Sequence, residues 1–164
     1  MADIERKFLA HFLNVTPSTQ TATYHRLGKD LEEMNVELNA EVNKKKNILG
    51  EESVKVTGYE AQSSVEPYYA NEGDGLHEFL QDIIDNRKVL DDTKTDAVEV
   101  HLWDETSTAG TFVAYKETAM IEVSSYGGDN TGYQIPFNVH YVGDRVKGTF
   151  NLSTKTFTAD NINV

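Results

Sequence analysis

Residues 74–88 (DGLHEFLQDIIDNRK) carry the one strong helical pattern in the chain, and that pattern limits what everything around it can be. Leu76, Phe79, Leu80, Ile83 and Ile84 recur at i, i+3, i+4, i+7 and i+8, the spacing of one buried helix face. Asp74 is placed to cap the first turn, and Asp74 and Glu78 sit where the helix dipole favours negative charge. Arg87 and Lys88 close the segment with the opposite sign. A single helix with a single apolar face has to lie on a sheet, so the remaining sequence must supply one.

It does so in short alternating runs. Residues 8–15 (FLAHFLNV) read as a first strand or as a short helix, ended by the turn-forming Thr16-Pro17-Ser18-Thr19. Residues 23–27 form a short strand, and in residues 31–38 Met34, Val36 and Leu38 alternate with Asn35 and Glu37 as in a half-buried strand. Val54 and Val56 alternate with Lys55 and Thr57 in residues 53–58. An extended run over 59–69 follows, where Pro67 is tolerated only at an edge or strand end.

Past the helix, a polar turn at 91–95 precedes a strand at 97–103. It sets Val98, Val100 and Leu102 on one face and Glu99, His101 and Trp103 on the other. A long strand at 111–124 changes phase near Glu117 and Thr118, which predicts a bulge. After a glycine-rich turn at 126–132, Tyr133, Ile135, Phe137, Val139 and Tyr141 point one way. Gly143-Asp144 is expected to make a two-residue hairpin, with Val146, Gly148, Phe150 and Leu152 on the return strand. A short strand at 155–158 and a polar tail at 159–164 complete the reading. About eight or nine strands, one helix and no βαβ alternation predict a mainly β protein, a β-sandwich or barrel with one flanking α-helix, as one domain over residues 1–164.

Residues 39–52 (NAEVNKKKNILGEE) interrupt the alternation. Three consecutive lysines stand between acidic residues, Ile48 and Leu49 are isolated apolars, and Gly50 punctuates the end. A long loop without structure is uncommon in a compact domain unless it binds something. It reads either as a solvated surface loop or as a contact arm anchored by Ile48 and Leu49, its lysines meeting acidic surface on a neighbouring subunit.

The chain as a whole is acidic, with 15 basic against 27 acidic residues and a net charge of −12. Such a balance disfavours a phosphate-gripping surface and promotes solubility. No cysteine is present, so no disulfide, thiolate metal site or Cys nucleophile can form. The start, MADIERKFLAHFL, has neither the length of a membrane span nor the pattern of a secretory signal, and no membrane association is expected. His11, His25, His77, His101 and His140 are scattered without metal-ligand spacing, and no cofactor is expected. The carboxylate pairs Asp91-Asp92 and Glu51-Glu52 are neighbours that point apart on a strand or stay solvated in a turn. No nucleophile elbow or phosphate-binding glycine loop is visible. The pattern predicts a protein that is not an enzyme.

The order of NAEVNKKKNILGEESVKVTGYEAQSSVEPYYANEGD, the helix FLQDIIDNRKV and the strand AVEVHLWDE resembles the tail tube (major tail) proteins of long-tailed bacteriophages, above all siphophages of Gram-positive hosts. The matching positions are Lys46, Asn47, Ile48, Leu49 and Gly50 leading into a strand, then Tyr59, Tyr68 and Tyr69, then Trp103 and Asp104. The resemblance runs from about Lys7 to Phe157. It implies a β-sandwich with a flanking helix, hexameric rings whose strands join into an inner barrel, and rings stacked into a tube that conducts DNA at ejection. It also implies a virion tail assembled in the host bacterial cytoplasm. The implied partners are further copies of the chain, tape measure, tail terminator and baseplate or distal tail proteins, and genomic DNA in transit without specific binding.

On this reading Lys44, Lys45, Lys46, Asn47, Ile48, Leu49 and Gly50 contact the next subunit. A lumen lined with carboxylates would let DNA slide, with Glu33, Glu37, Glu60 and Glu66 as candidates. A tail-like bacteriocin or another injection tube would share the fold. The rival reading is a monomeric β-sandwich that binds a ligand or carbohydrate, using the tyrosines of 65–70 and Trp103 as a stacking platform.

Overall fold

Two long strands that pair along most of their length frame the structure, a computed structural model that describes residues 2–160. In chain order, a 3-10 turn at Arg6–Phe8 leads into β1 (Leu9–Asn14), β2 (Tyr24–Leu27) and β3 (Val36–Glu37). Next come β4 (Ala40–Lys46), β5 (Glu52–Tyr59) and β6 (Gln62–Val65), then helix α1 (Gly75–Asn86) and a 3-10 turn at Leu90–Thr93. β7 (Lys94–Glu105), β8 (Thr111–Val123), the small pair β9 (Gly127–Asp129) and β10 (Gly132–Gln134), β11 (Phe137–Asn151) and β12 (Thr156–Ala159) complete it. One antiparallel sheet runs β2-β1-β7-β8-β11-β6-β3, with β12 also on β11. The fold is mainly β with one helix.

Alternation along the strands buries both faces of this sheet. Leu13, Ala97, Ala119, Ile121, Phe137 and Val139 face α1 and pack on Leu76, Leu80, Ile83 and Ile84, with Phe79 at the rim. Their neighbours Ala10, Phe12, Val98, Val100, Ala114 and Phe150 form a second core on the opposite face. The rings of Phe12 and Phe150 lie 4.5 Å apart, although β7 and β8 separate their strands. On a flat sheet three strand spacings would hold them about 14 Å apart, so the sheet is rolled over this second core. β12 closes tightly over Gly148, where a Cβ would lie 2.2 Å from the Thr158 carbonyl oxygen.

The helix ends are fixed by specific groups. Asp74 caps the first turn by accepting from the Leu76 N–H. The same carboxylate accepts from the Tyr68 hydroxyl at 2.6 Å and lies 2.7 Å from His25 Nε2. Arg87 and Lys88 lie past the last helical residue, which corrects their reading as last-turn cations. Arg87 is the left-handed C-cap (φ 47°), its N–H reaching the Ile83 and Ile84 carbonyls, and Lys88 turns back onto Asp82.

Other expectations change as well. Only Val36–Glu37 of residues 31–38 is strand. Met34 enters the core from a loop, its carbonyl held by the Arg6 guanidinium at 2.8 Å, while Asn35 bonds Glu33 locally. Gly143-Asp144 is not a hairpin, because both halves of β11 pair with β8. Residues 143–145 bulge out opposite Glu117, where a phase change was expected, but the extra residues stand on the facing strand. The glycine-rich turn at 126–132 contains the β9–β10 hairpin, and the polar turn at 91–95 is largely the 3-10 turn. Of the expected tail 159–164, Ala159 belongs to β12 and the Asp160 N–H donates to the Lys147 carbonyl; residues 161–164 lie outside the described part.

Candidate assembly surface

Residues 39–52 are not a structureless loop. They form most of a two-stranded arm in which β4 and β5 pair only with each other, apart from the main sheet. The arm is rooted where the Asn39 side chain donates to the Glu60 carbonyl and the Glu60 N–H donates to the Leu38 carbonyl. A bulge at Thr57 adjusts the register, after which Val42 opposes Val56 and Lys44 opposes Val54. The two strands of seven and eight residues extend about 23 Å at the usual rise per residue. Nearly every residue of both is exposed, so the arm does not rest on the body.

The tip is a tight turn built by Asn47. Its Oδ1 accepts from the N–H groups of Leu49 and Glu51, its Nδ2 donates to Glu51 Oε2, and its carbonyl accepts from the Gly50 N–H. Gly50 supplies the left-handed residue (φ 80°) that this turn requires. With the polar groups satisfied inward, Ile48 and Leu49 stand outward, 103% and 78% exposed. Val42, Val54, Val56 and Tyr59 are also exposed. Period-2 geometry and the bulge put the three valines on one face with Lys44 and Lys46. This is a connected apolar strip of the kind that marks an interaction surface.

The four glutamates read from the sequence do not share one element. Glu37 lies on β3 opposite Gln62, on the sheet face that also carries Ser64, Asn138, His140 and Glu122. Glu60 sits between β5 and β6, Glu66 directly follows β6, and Glu33 belongs to the loop before β3; all are exposed. Glu122 was not singled out in the sequence. It accepts from Asn138 Nδ2 at 2.8 Å and faces His140 at 3.4 Å, and these contacts hold its carboxyl below the ordinary range. Only the register of β8 on β11 identifies its neighbours, which is why periodicity could not find it.

A second charged group lies on the sheet's helix-side face. Arg145, aimed by the β11 bulge, bonds Glu99 and lies 3.0 Å from Glu117 while covering the Tyr115 ring. Burial works to raise both carboxyls. In Glu99 the Arg145 contact wins and the pKa is lowered; in Glu117 burial wins and it is raised. His11 is buried beside them with Nε2 unpartnered, and burial lowers its pKa to about 4. Trp103, in a β7 bulge, stacks on His101 at 4.5 Å. Tyr68 is buried edge-on against Phe137, and residues 68–70 pair along β10. The tyrosine run is therefore core and backbone pairing rather than an open stacking platform with Trp103.

Among the described residues no group of three His, Cys, Asp or Glu side chains could hold a metal ion, and no helix is long and apolar enough to cross a membrane. His25, Asp74 and Tyr68 adjoin one another, but the carboxylate is spent on the helix cap, the hydroxyl and the imidazole.

No family model matches the chain, and no curated protein matches it in sequence. Solved structures do match in fold. The SPP1 tail tube, determined by solid-state NMR and cryo-EM, aligns with a TM-score of 0.57 at 14% identity over 88% of this chain and 78% of that one. The sheath/tube terminator of an extracellular contractile injection system, PVC, aligns with a TM-score of 0.53 at 9% identity over 90% of this chain and 97% of that one. The rolled antiparallel sheet with its single packed helix is thus a phage tail tube-like fold.

Proposed function

We propose that this protein is a structural tube subunit that self-assembles into hexameric rings, stacked as the tail tube of a long-tailed phage to form the conduit for DNA ejection. The observation that carries this reading is the arm: about 23 Å of hairpin with an uncovered apolar strip and two exposed apolar side chains at its tip. An isolated two-stranded hairpin is marginal in water, so such an arm gains its stability on contact with another surface. On a fold shared with a tail tube and an injection-system terminator, that surface is another copy. The short edge strands β2 and β3 leave ladder groups for pairing between copies, as a joined barrel requires.

The polar face carrying Glu37, Gln62, Ser64, Asn138, His140 and Glu122 is the candidate lumen wall, and its net negative charge would repel phosphates. The protein acts without catalysis or cofactor; tape measure, terminator and baseplate or distal tail proteins would meet the two ends of the tube in a virion tail built in the host cytoplasm. Negative-stain electron microscopy across concentration and salt tests this. Rings with a central hole or hollow tubes are expected; dispersed monomers at every concentration, including after addition of preformed tail ends, would overturn it.

A further inference from the structure

The arm tip has a counterpart elsewhere on the chain. The start of the 3-10 turn after α1 exposes its capping residue Val89 at 64% and its first residue Leu90 at 81%, an adjacent apolar pair followed directly by Asp91 and Asp92. The tip exposes Ile48 and Leu49 one residue after Lys44, Lys45 and Lys46, with Asn47 between. Leu90 stands outward because its backbone is left-handed (φ 55°). Neither aspartate forms an ion pair among the described residues; Lys88 is engaged by Asp82 and Arg87 by the Tyr126 hydroxyl, while the exposed Lys94 lines the same cleft as both aspartates. The charges differ in sign as well as in place. Residues 40–59 hold 4 lysines and 3 glutamates, a net +1, within a chain of net −12.

We infer that the tip of one copy's arm docks on the Val89–Asp92 corner of a second copy, apolar pair on apolar pair and the lysines on the two aspartates. This rests on the self-assembly reading above and names the surface the arm meets. Tip and corner are different patches, so the contact is heterologous: each copy offers one of each, and association continues from copy to copy into rings or stacks rather than stopping at a two-fold dimer.

The chain has no cysteine, so two introduced thiols report on the contact directly. The L49C/L90C double variant, oxidised under assembling conditions, is expected to run as a ladder of dimers, trimers and higher species on non-reducing denaturing electrophoresis. The control L49C/V146C, with its second thiol on the exposed Val146 of β11, should give about tenfold less. In parallel, K44D/K45D/K46D and D91K/D92K should each raise the concentration needed for assembly about tenfold or more, and the combined reversal should restore it to within about threefold. A ladder no stronger than the control's, or no recovery in the combined variant, while the unmodified chain forms tubes, would overturn the corner as the receptor and leave self-assembly standing. Failure of the unmodified chain to assemble at all would remove both.

Discussion

The arm and the β7–β8–β11 body are built from the same strand alternation, yet they end in opposite states. Val98 and Val100 on β7 are 1% and 0% exposed, whereas Val54 and Val56 on β5 are 58% and 56% exposed. The residue types match; the cover does not. In the body each apolar face meets a second layer, α1 on one side and the rolled sheet with Phe150 on the other. In the arm the hydrogen-bond ladder and the Asn47 turn are complete within the chain, while Val42, Val54, Val56, Ile48 and Leu49 remain exposed. Local hydrogen bonding shapes an element, but only burial completes its energy.

The contrast is open to attack in order of expected size. Ile48→Ser with Leu49→Ser removes two side chains worth about 1.5–3 kcal/mol each when fully buried, so the assembly threshold should rise at least about a hundredfold. Sedimentation velocity reads the threshold, and the thermal midpoint of the dispersed chain should not move; a falling midpoint would make the tip part of the body. Phe150→Ala empties a fully buried ring site and should cost about 3–5 kcal/mol in urea unfolding, against within about 0.5 kcal/mol for Val56→Ala. Equal costs would erase the distinction between body and arm.

Acid should loosen the body first. Burial holds His11 neutral with its pKa lowered from 6.5 to about 4. The unfolded chain therefore binds the proton more readily. The associated stability is complete above pH 6.5 and lost as pH falls toward about 4, at most roughly 3 kcal/mol. His11→Leu should flatten that limb of a stability–pH curve, and an unchanged limb would assign it to other groups. The smallest effect concerns Asp74→Ala, which removes the helix cap and the Tyr68 partner and should cost about 2 kcal/mol. Asp74→Asn should recover part of it, and the assembly threshold of the folded variant should stay put.

The sequence disclosed whatever depends on a buried periodic face. The α1 stripe from Leu76 to Ile84 and the β7 alternation needed nothing beyond spacing. The arm was hidden for the same reason: β4 has no buried face, and three lysines occupy positions that apolar residues would fill in a core strand. Gly143-Asp144 misled because the dipeptide that turns a hairpin also makes a bulge, and which it does depends on whether the flanks pair with each other or with β8. Met34 reached the core without a strand to carry it, and its alternation with Asn35 suggested one. Of the site, Ile48 and Leu49 were legible as apolars without a local partner. Glu122 and the Val89–Leu90 corner were not, since one depends on cross-strand register and the other on a left-handed residue after a helix.

Amide hydrogen exchange across residues 40–59, compared between dilute and assembled protein, tests most directly whether the arm completes itself on another copy. Weak protection of the arm amides in the dilute chain should give way to strong protection on assembly, with β7 and β8 protected in both. An arm equally protected in the dilute chain, or one that stays unprotected within formed tubes, would contradict its role as the contact element.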